Sequence, residues 1–382
     1  MPDSDYISYG RQWIDDDDIA AVTEVLRGDW LTTGPVIDRF EHALAEYCNS
    51  RHAVGVSSGT AALHTAYASL TLGASDEIIT SPLTFAATAT SALHLGATIE
   101  FADIEEQTGN IAPAAIADSV SDRTKLIVPV DYAGHPADYD AINEIADSFG
   151  IRTVADAAHS FGGRYRGNAV GSLADATAIS FHPVKAITTA EGGAIITSDD
   201  ELARRAMRFR NHGIVREHSE LTDPGEAWYY EIQELGLNYR LPDVLCALGL
   251  SQIAKLDRFI ARRREIAERY SLELRELDEL KLPVELSSVE SAWHLYVIRV
   301  RDASRRDDFF RRLQKDGLGV QLHYMPVYLH PIFRQLGYAP GLCPVAEIFA
   351  ASAVSIPIFP RMTDDDVDRV IDRVSRAARD LL

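Results

Sequence analysis

Lysine is scarce in this chain. Of 37 basic residues among 382, only Lys125, Lys185, Lys255, Lys281 and Lys315 are lysines, and the rest are arginines. Positive charge as a whole is in deficit: 57 acidic side chains leave a formal net charge of −20. Such a field repels nucleic-acid phosphates and argues against DNA or RNA as a partner. An Asp-rich, lysine-poor surface fits either a saline cytoplasm or ordinary base composition with a solvated acidic face. Cysteine is nearly absent too. Cys48, Cys246 and Cys343 lie far apart with no C-x-x-C spacing, which excludes a disulfide framework and a zinc site. No H-E-x-x-H and no His/Cys cluster occurs, so no metal is expected. The chain also lacks G-x-G-x-x-G after a strand and the P-loop pattern, which removes dinucleotide and P-loop nucleotide binding. No apolar run approaches the roughly 20 residues of a membrane helix. The first ten residues are acidic and polar, unlike a signal peptide, so the expected location is the cytoplasm.

What is present is an alternation. Between about 53 and 200, short β-branched runs (53–56, 77–80, 98–101, 125–130, 152–156, 176–181, 194–197) alternate with helix-like stretches. That pattern predicts an α/β fold with a mostly parallel sheet covered on both faces, and ligands beyond the carboxyl ends of its strands. After about 243 the pattern changes to a long helical stretch (243–275), strands near 293–300 and 320–324, and helices near 304–316 and from Asp364. The expected organisation is an N-terminal segment plus a large domain over 1–250 and a small α+β domain over 251–382. The acidic run Asp15 to Asp18 reads as the first turn of a helix.

Three places carry chemistry. Ser57-Ser58-Gly59-Thr60 sits where a strand gives way to a helix, whose free amides and dipole suit a phosphate; an ordinary N-cap is the alternative. Asp156 ends an apolar strand. An ionised carboxylate there needs a cationic partner, such as a protonated ring nitrogen, unless it merely caps the turn. Lys185 leaves the apolar run 176–181 and precedes a hydroxyl- and Gly-rich turn, whereas the other four lysines lie in acidic or helical surface sequence. A lysine so placed suits an amine of lowered pKa that forms Schiff bases and moves protons.

Taken together, Ser58-Gly59-Thr60, Asp156 with His159, the Ser-Phe-His-x-x-Lys run ending at Lys185, Glu191-Gly192-Gly193 and the stretch Gly236 to Leu241 resemble the DegT/StrS family. These are pyridoxal-phosphate-dependent nucleotide-sugar aminotransferases with the PLP-dependent transferase fold of the aspartate aminotransferase type. The likeness runs from about Tyr9 to the final helix. It implies that Lys185 carries pyridoxal 5'-phosphate as a Schiff base and shuttles the proton. It implies that Asp156 pairs with the pyridinium nitrogen, that His159 lies beside the ring and that Phe85 stacks on it. Ser58, Gly59, Thr60 and Ser180 would bind the phosphate. Asn238 would reach it from a neighbouring subunit, so a homodimer with shared active sites is implied.

Within the family, Asp131 to Gly134, His182 to Ala194, Ala247 to Gln252 and Gln321 to Pro326 are most similar to the subgroup that serves pseudaminic acid synthesis. Its substrates are a UDP-linked 4-keto-6-deoxy-N-acetylhexosamine and L-glutamate. The same match assigns Tyr9, Asp29, Trp30, Leu31, Thr32, Gln321, His323 and Tyr324 to the nucleotide sugar. The stretch 216–231 departs from the likeness. The alternatives are an aminotransferase for another keto sugar, of bacillosamine or 4-aminoarabinose type, and a non-catalytic cofactor-binding regulator. A dehydratase on this scaffold would carry histidine in place of Lys185.

Overall fold

The computed structural model describes residues 5–223 and 225–381; the opening residues 1–4 of the polar N-terminal stretch lie outside the described residues. Seven strands form the main sheet: β1 His52–Val56, β2 Glu77–Thr80, β3 Thr98–Phe101, β4 Thr124–Val128, β5 Arg152–Asp156, β6 Ala176–Ser180 and β7 Gly193–Thr197. Their order across the sheet is β1-β7-β6-β5-β4-β2-β3. The pairs β2–β3, β2–β4, β4–β5 and β5–β6 are parallel, and β7 runs antiparallel between β6 and β1. Sequence and structure agree because these runs are almost wholly buried, and only β-branched or small apolar residues tolerate cover on both faces. Helices Gly59–Ser69, Ala86–His94, Pro113–Ser119 and Tyr139–Phe149 connect the strands, and Asp200–Phe209 follows the last of them.

A second, three-stranded sheet combines Leu280–Lys281, Tyr296–Val300 and Ala353–Ile356 in antiparallel register. Helices Arg306–Lys315 and Asp364–Leu381 pack with it. Ile7 joins the same apolar cluster and bridges to Leu318, so the N-terminal segment crosses to this sheet. One long helix, Leu256–Leu274, ties the two cores: Leu256 and Ile260 pack beneath the main sheet, Ile266, Tyr270 and Leu274 beneath the second.

Two expectations are modified. The stretch 243–275 is two helices, Asp243–Ile253 and Leu256–Leu274, parted at Ala254 and Lys255. The break turns the Lys255 ammonium onto Asp15 and the buried Asp18, which also accepts from Ser251 Oγ at 2.6 Å and Gln252 Nε2 at 2.7 Å. A charge buried this deeply needs those partners, so tertiary pairing overrides local helix periodicity. Asp15 and Asp18 form a capping box for the helix Asp16–Arg27, as the acidic run suggests. The second change concerns 320–324, which is not a strand. Only Gln321 pairs with Ser355, by reciprocal bonds of 3.1 and 2.8 Å. The ladder stops there because the His323 carbonyl is taken by the Tyr132 hydroxyl and its ring by Ser355 Oγ at 2.9 Å.

Candidate active site

The sheet register assembles the site. Val56 at the end of β1 lies opposite Gly193, and Gly193 lies opposite Ser180 at the end of β6. In the parallel pair beside it, Asp156 of β5 is in register with Ala178. Ser58, Asp156 and Ser180 therefore emerge at one edge of the sheet although 122 positions separate the first from the last. Close packing enforces the approach: a Cβ on Gly193 would lie 2.5 Å from the Ser58 carbonyl oxygen, and one on Gly59 2.8 Å from Ser180 Cβ.

Tyr9, Ser58, Gly59, Thr60, Phe85, Asp156, His159, Ser180, Lys185, His323 and Tyr324 line one cavity of about 410 Å³. Larger clefts open along 220–233 and between 50 and 201, but neither contains a lysine. The helix Gly59–Ser69 points its first turn into the cavity; Ser58 Oγ caps it by accepting from the Ala61 amide at 3.0 Å. The amides of Gly59 and Thr60 have no carbonyl within the helix to bond, so they remain donors for an anion, with the Ser180 side chain beside them.

Asp156 is buried. Thr88 Oγ1 donates to its Oδ2 at 2.6 Å and the Ala158 amide to its Oδ1 at 3.2 Å. Burial pushes its carboxyl up from the ordinary range, while Thr88, Ala158 and the charge of Lys185 pull it back. Lys185 stands on the turn between β6 and β7. Phe181 N–H to Gly192, Lys185 N–H to His182 and Thr189 N–H to Phe181 brace that turn at 2.9, 2.9 and 3.0 Å. Burial drives the Lys185 amine down to about 8; Asp156 opposes the shift and Arg263 adds to it. Both groups are thus moved toward neutrality, the arrangement of a site that exchanges protons near neutral pH.

Histidines and tyrosines form the opposite wall. His159 Nε2 lies 3.0 Å from the Tyr324 hydroxyl, with the rings stacked at 6.0 Å, and the His294 ring lies 4.5 Å from His159. The Nδ1 atoms of His159 and His294 are buried and find no partner among the described residues. Burial, reinforced by Lys185, holds His159 and His294 well below the usual histidine range and His323 down to about 4, so this wall is uncharged at neutral pH. Phe85 is 63% exposed, and its ring stands 6.5 Å from Tyr324 at the mouth.

The sequence model of the DegT/DnrJ/EryC1/StrS aminotransferase family matches residues 12–375. The chain belongs to this family.

Among relatives, the spore coat polysaccharide biosynthesis protein SpsC of Bacillus subtilis is 38% identical over 374 residues, covering 97% of this chain and 96% of SpsC. Among solved structures, Helicobacter pylori PseC, an aminotransferase of pseudaminic acid biosynthesis, superposes with a TM-score of 0.93 at 32% identity, covering 98% of this chain and all of PseC. The sugar aminotransferase Spr1654 of Streptococcus pneumoniae matches in its pyridoxal-phosphate form with a TM-score of 0.92 at 28% identity, over 99% of this chain and 100% of that one. This chain is a sugar aminotransferase, and its cofactor is pyridoxal phosphate.

The residues present fit that cofactor. A phosphate there would meet the free amides of Gly59 and Thr60 and the side chain of Ser180, in a cradle that a Cβ at position 59 would fill. A protonated ring nitrogen would supply a cationic partner to buried Asp156, whose cationic neighbour among the described residues is Lys185. Not every expected residue shares the cavity. Asp29, Trp30, Leu31, Thr32, Gln321 and Asn238 are exposed and do not line it. Glu191 of the Glu191-Gly192-Gly193 motif lines it too, as do His294 and Thr84, which the sequence did not mark, and Thr88 holds Asp156 from behind. The spacing of Thr84 and Thr88, hydroxyls 2.6 Å apart, was the available signal; His294 lay inside a stretch that reads as a plain strand.

Proposed function

We propose that this enzyme transfers the amino group of L-glutamate to C4 of a UDP-4-keto-6-deoxy-N-acetylhexosamine, acting as a UDP-4-amino-4,6-dideoxy-N-acetyl-β-L-altrosamine transaminase. The observation that carries the transfer itself is the Lys185 amine, held near neutrality, sharing a cavity with Asp156. The choice of sugar leans on the likeness to PseC and on the neutral wall of Tyr9, His323 and Tyr324.

When bound, pyridoxal phosphate supplies an aldehyde that amines condense with and a ring that accepts electron density. Gly59, Thr60 and Ser180 bind its phosphate, Asp156 fixes its ring nitrogen, and His159 and Phe85 line its flanks. Lys185 Nζ takes the proton from the amine-bearing carbon of glutamate and later delivers one to sugar C4. The uncharged His159, His294 and His323 leave Lys185 as the proton carrier facing the cavity.

We also read the enzyme as a cytoplasmic homodimer with shared sites. Asn238 is exposed and off its own cavity, as are Trp30 and Leu31, and a second copy would give these residues a site to reach. Mixing inactive Lys185→Ala and Asn238→Ala chains should then restore activity, because one hybrid site is intact; no recovery would sink the shared-site reading. Sugar choice is tested by incubating glutamate with candidate UDP-4-keto sugars and following 2-oxoglutarate. Turnover of only a gluco-configured 4-keto sugar would overturn the altrosamine assignment in favour of a bacillosamine-type pathway.

A further inference from the structure

Arg263 is fully buried on the helix Leu256–Leu274, and among the described residues no carboxylate pairs with it. A buried charge without a counter-ion is costly and is kept only where it is held by dipoles. Here four carbonyls hold it. Nη1 donates to Trp293, His294 and Ile358 at 3.2, 3.2 and 2.9 Å, and Nη2 reaches the carbonyl of Val184 at 3.4 Å. Val184 immediately precedes Lys185, and His294 lines the cavity wall opposite. Trp293, in the same grip, has a φ of 47°, a conformation that a bulky residue keeps only when its surroundings enforce it. Burial lowers the guanidinium to about 10, which leaves it charged at neutral pH.

We propose that Arg263 is a positioning residue that acts through Lys185: an unpaired guanidinium, anchored to the lysine's own turn, that disfavours a second positive charge at Nζ. This rests on the reading of Lys185 as the working amine. Other groups face the same cavity: Asp156 from β5, His159 from the turn after it, and His182 and Glu191 from the Lys185 turn. Tyr9, His294, His323 and Tyr324 complete the ring. Asp156 works against Arg263 by favouring the ammonium, and the lowered histidines stay neutral where the lysine titrates. Arg263 is therefore the cation that biases Nζ toward the free amine.

The test uses apoprotein, so it does not depend on turnover. Wild type, Arg263→Gln and Arg263→Lys are labelled with acetic anhydride across a pH series. The Lys185 peptide is quantified by mass spectrometry, with the other four lysines as internal references. Wild-type labelling should reach half its maximum near pH 8. In R263Q the midpoint should rise above that of wild type while staying below the ordinary lysine value of about 10.4, because burial, the larger cause, is unchanged. R263K keeps a charge at the site, so its midpoint should stay near that of wild type. A folded R263Q, judged by circular dichroism, with an unmoved midpoint would overturn the proposal. If R263Q does not fold, R263K decides: a midpoint at the ordinary lysine value overturns it. Failure of pyridoxal phosphate to attach to Lys185 would instead remove the assignment of that lysine and leave this titration intact.

Discussion

The rim of the main sheet and the wall contributed by the segment after residue 280 meet at one cavity, yet they are built differently. The rim delivers Ser58, Asp156 and Ser180 from strand ends locked in register, with glycines at 59 and 193 leaving no room for drift. The wall delivers His294, His323 and Tyr324 from irregular backbone held by single contacts, such as Gln321 with Ser355 and Tyr132 with the His323 carbonyl. A ladder moves only as a whole, whereas a wall of separate contacts changes one residue at a time. The rim suits the invariant part of the reaction and the wall suits the choice of sugar.

The largest effect that would sharpen this contrast is at Lys185. Lys185→Ala should lower 2-oxoglutarate formation by at least about 10⁴-fold, since it removes the proton carrier and the attachment point together. Borohydride reduction should fix cofactor to wild type and not to the variant. Covalent cofactor in the variant would mean that another lysine serves. Next comes Asp156→Asn, which keeps the shape but loses the charge. A charge-assisted hydrogen bond of about 1.5–3 kcal/mol makes the expected loss of cofactor affinity about 10- to 150-fold, read by spectrophotometric titration. An unchanged affinity would detach Asp156 from the ring and weaken the rim's claim.

A pH effect of intermediate size follows from Lys185 itself. Its pKa is lowered to about 8, so the reactive free amine is the minority form below that pH and dominates above it. Attachment of pyridoxal phosphate to apoenzyme should therefore speed up by about tenfold per pH unit below this point and level off beyond it. A rate that kept rising to about pH 10 would show an ordinary, solvated lysine.

Much of the rim was legible in the sequence. Glu77–Thr80, Thr98–Phe101 and Arg152–Asp156 stand where the β-branched runs place them, because a strand covered on both faces admits little but such residues. Lys185 was legible by contrast with four lysines in solvating company. The wall was not. His294, Arg263 and Thr88 matter through burial and through partners about 30 to 95 positions away, which no local pattern encodes. The stretch 320–324 has strand composition but spends its carbonyls and rings on Tyr132 and Ser355, so its pairing ends after one residue. In the helix Asp16–Arg27, Ile19 and Leu26 are exposed while Asp18, part of the acidic run that reads as a first turn, is buried under Lys255 and Gln252.

The smallest expected effect probes the wall where it touches the rim. Tyr324→Phe removes one hydrogen bond, 3.0 Å long, to His159 Nε2, and leaves the stacked rings in place. The loss should be about 1 kcal/mol, roughly fivefold in kcat/KM for the sugar half-reaction. The glutamate half-reaction and the cofactor titration should match wild type, since Asp156, Ser180 and the helix at Gly59 are untouched. If Y324F instead weakened cofactor binding as much as Asp156→Asn does, Tyr324 would belong to the cofactor frame through His159. The division between an invariant rim and an adaptable wall would then fail at this residue, and His159 would be the point through which the two regions act as one.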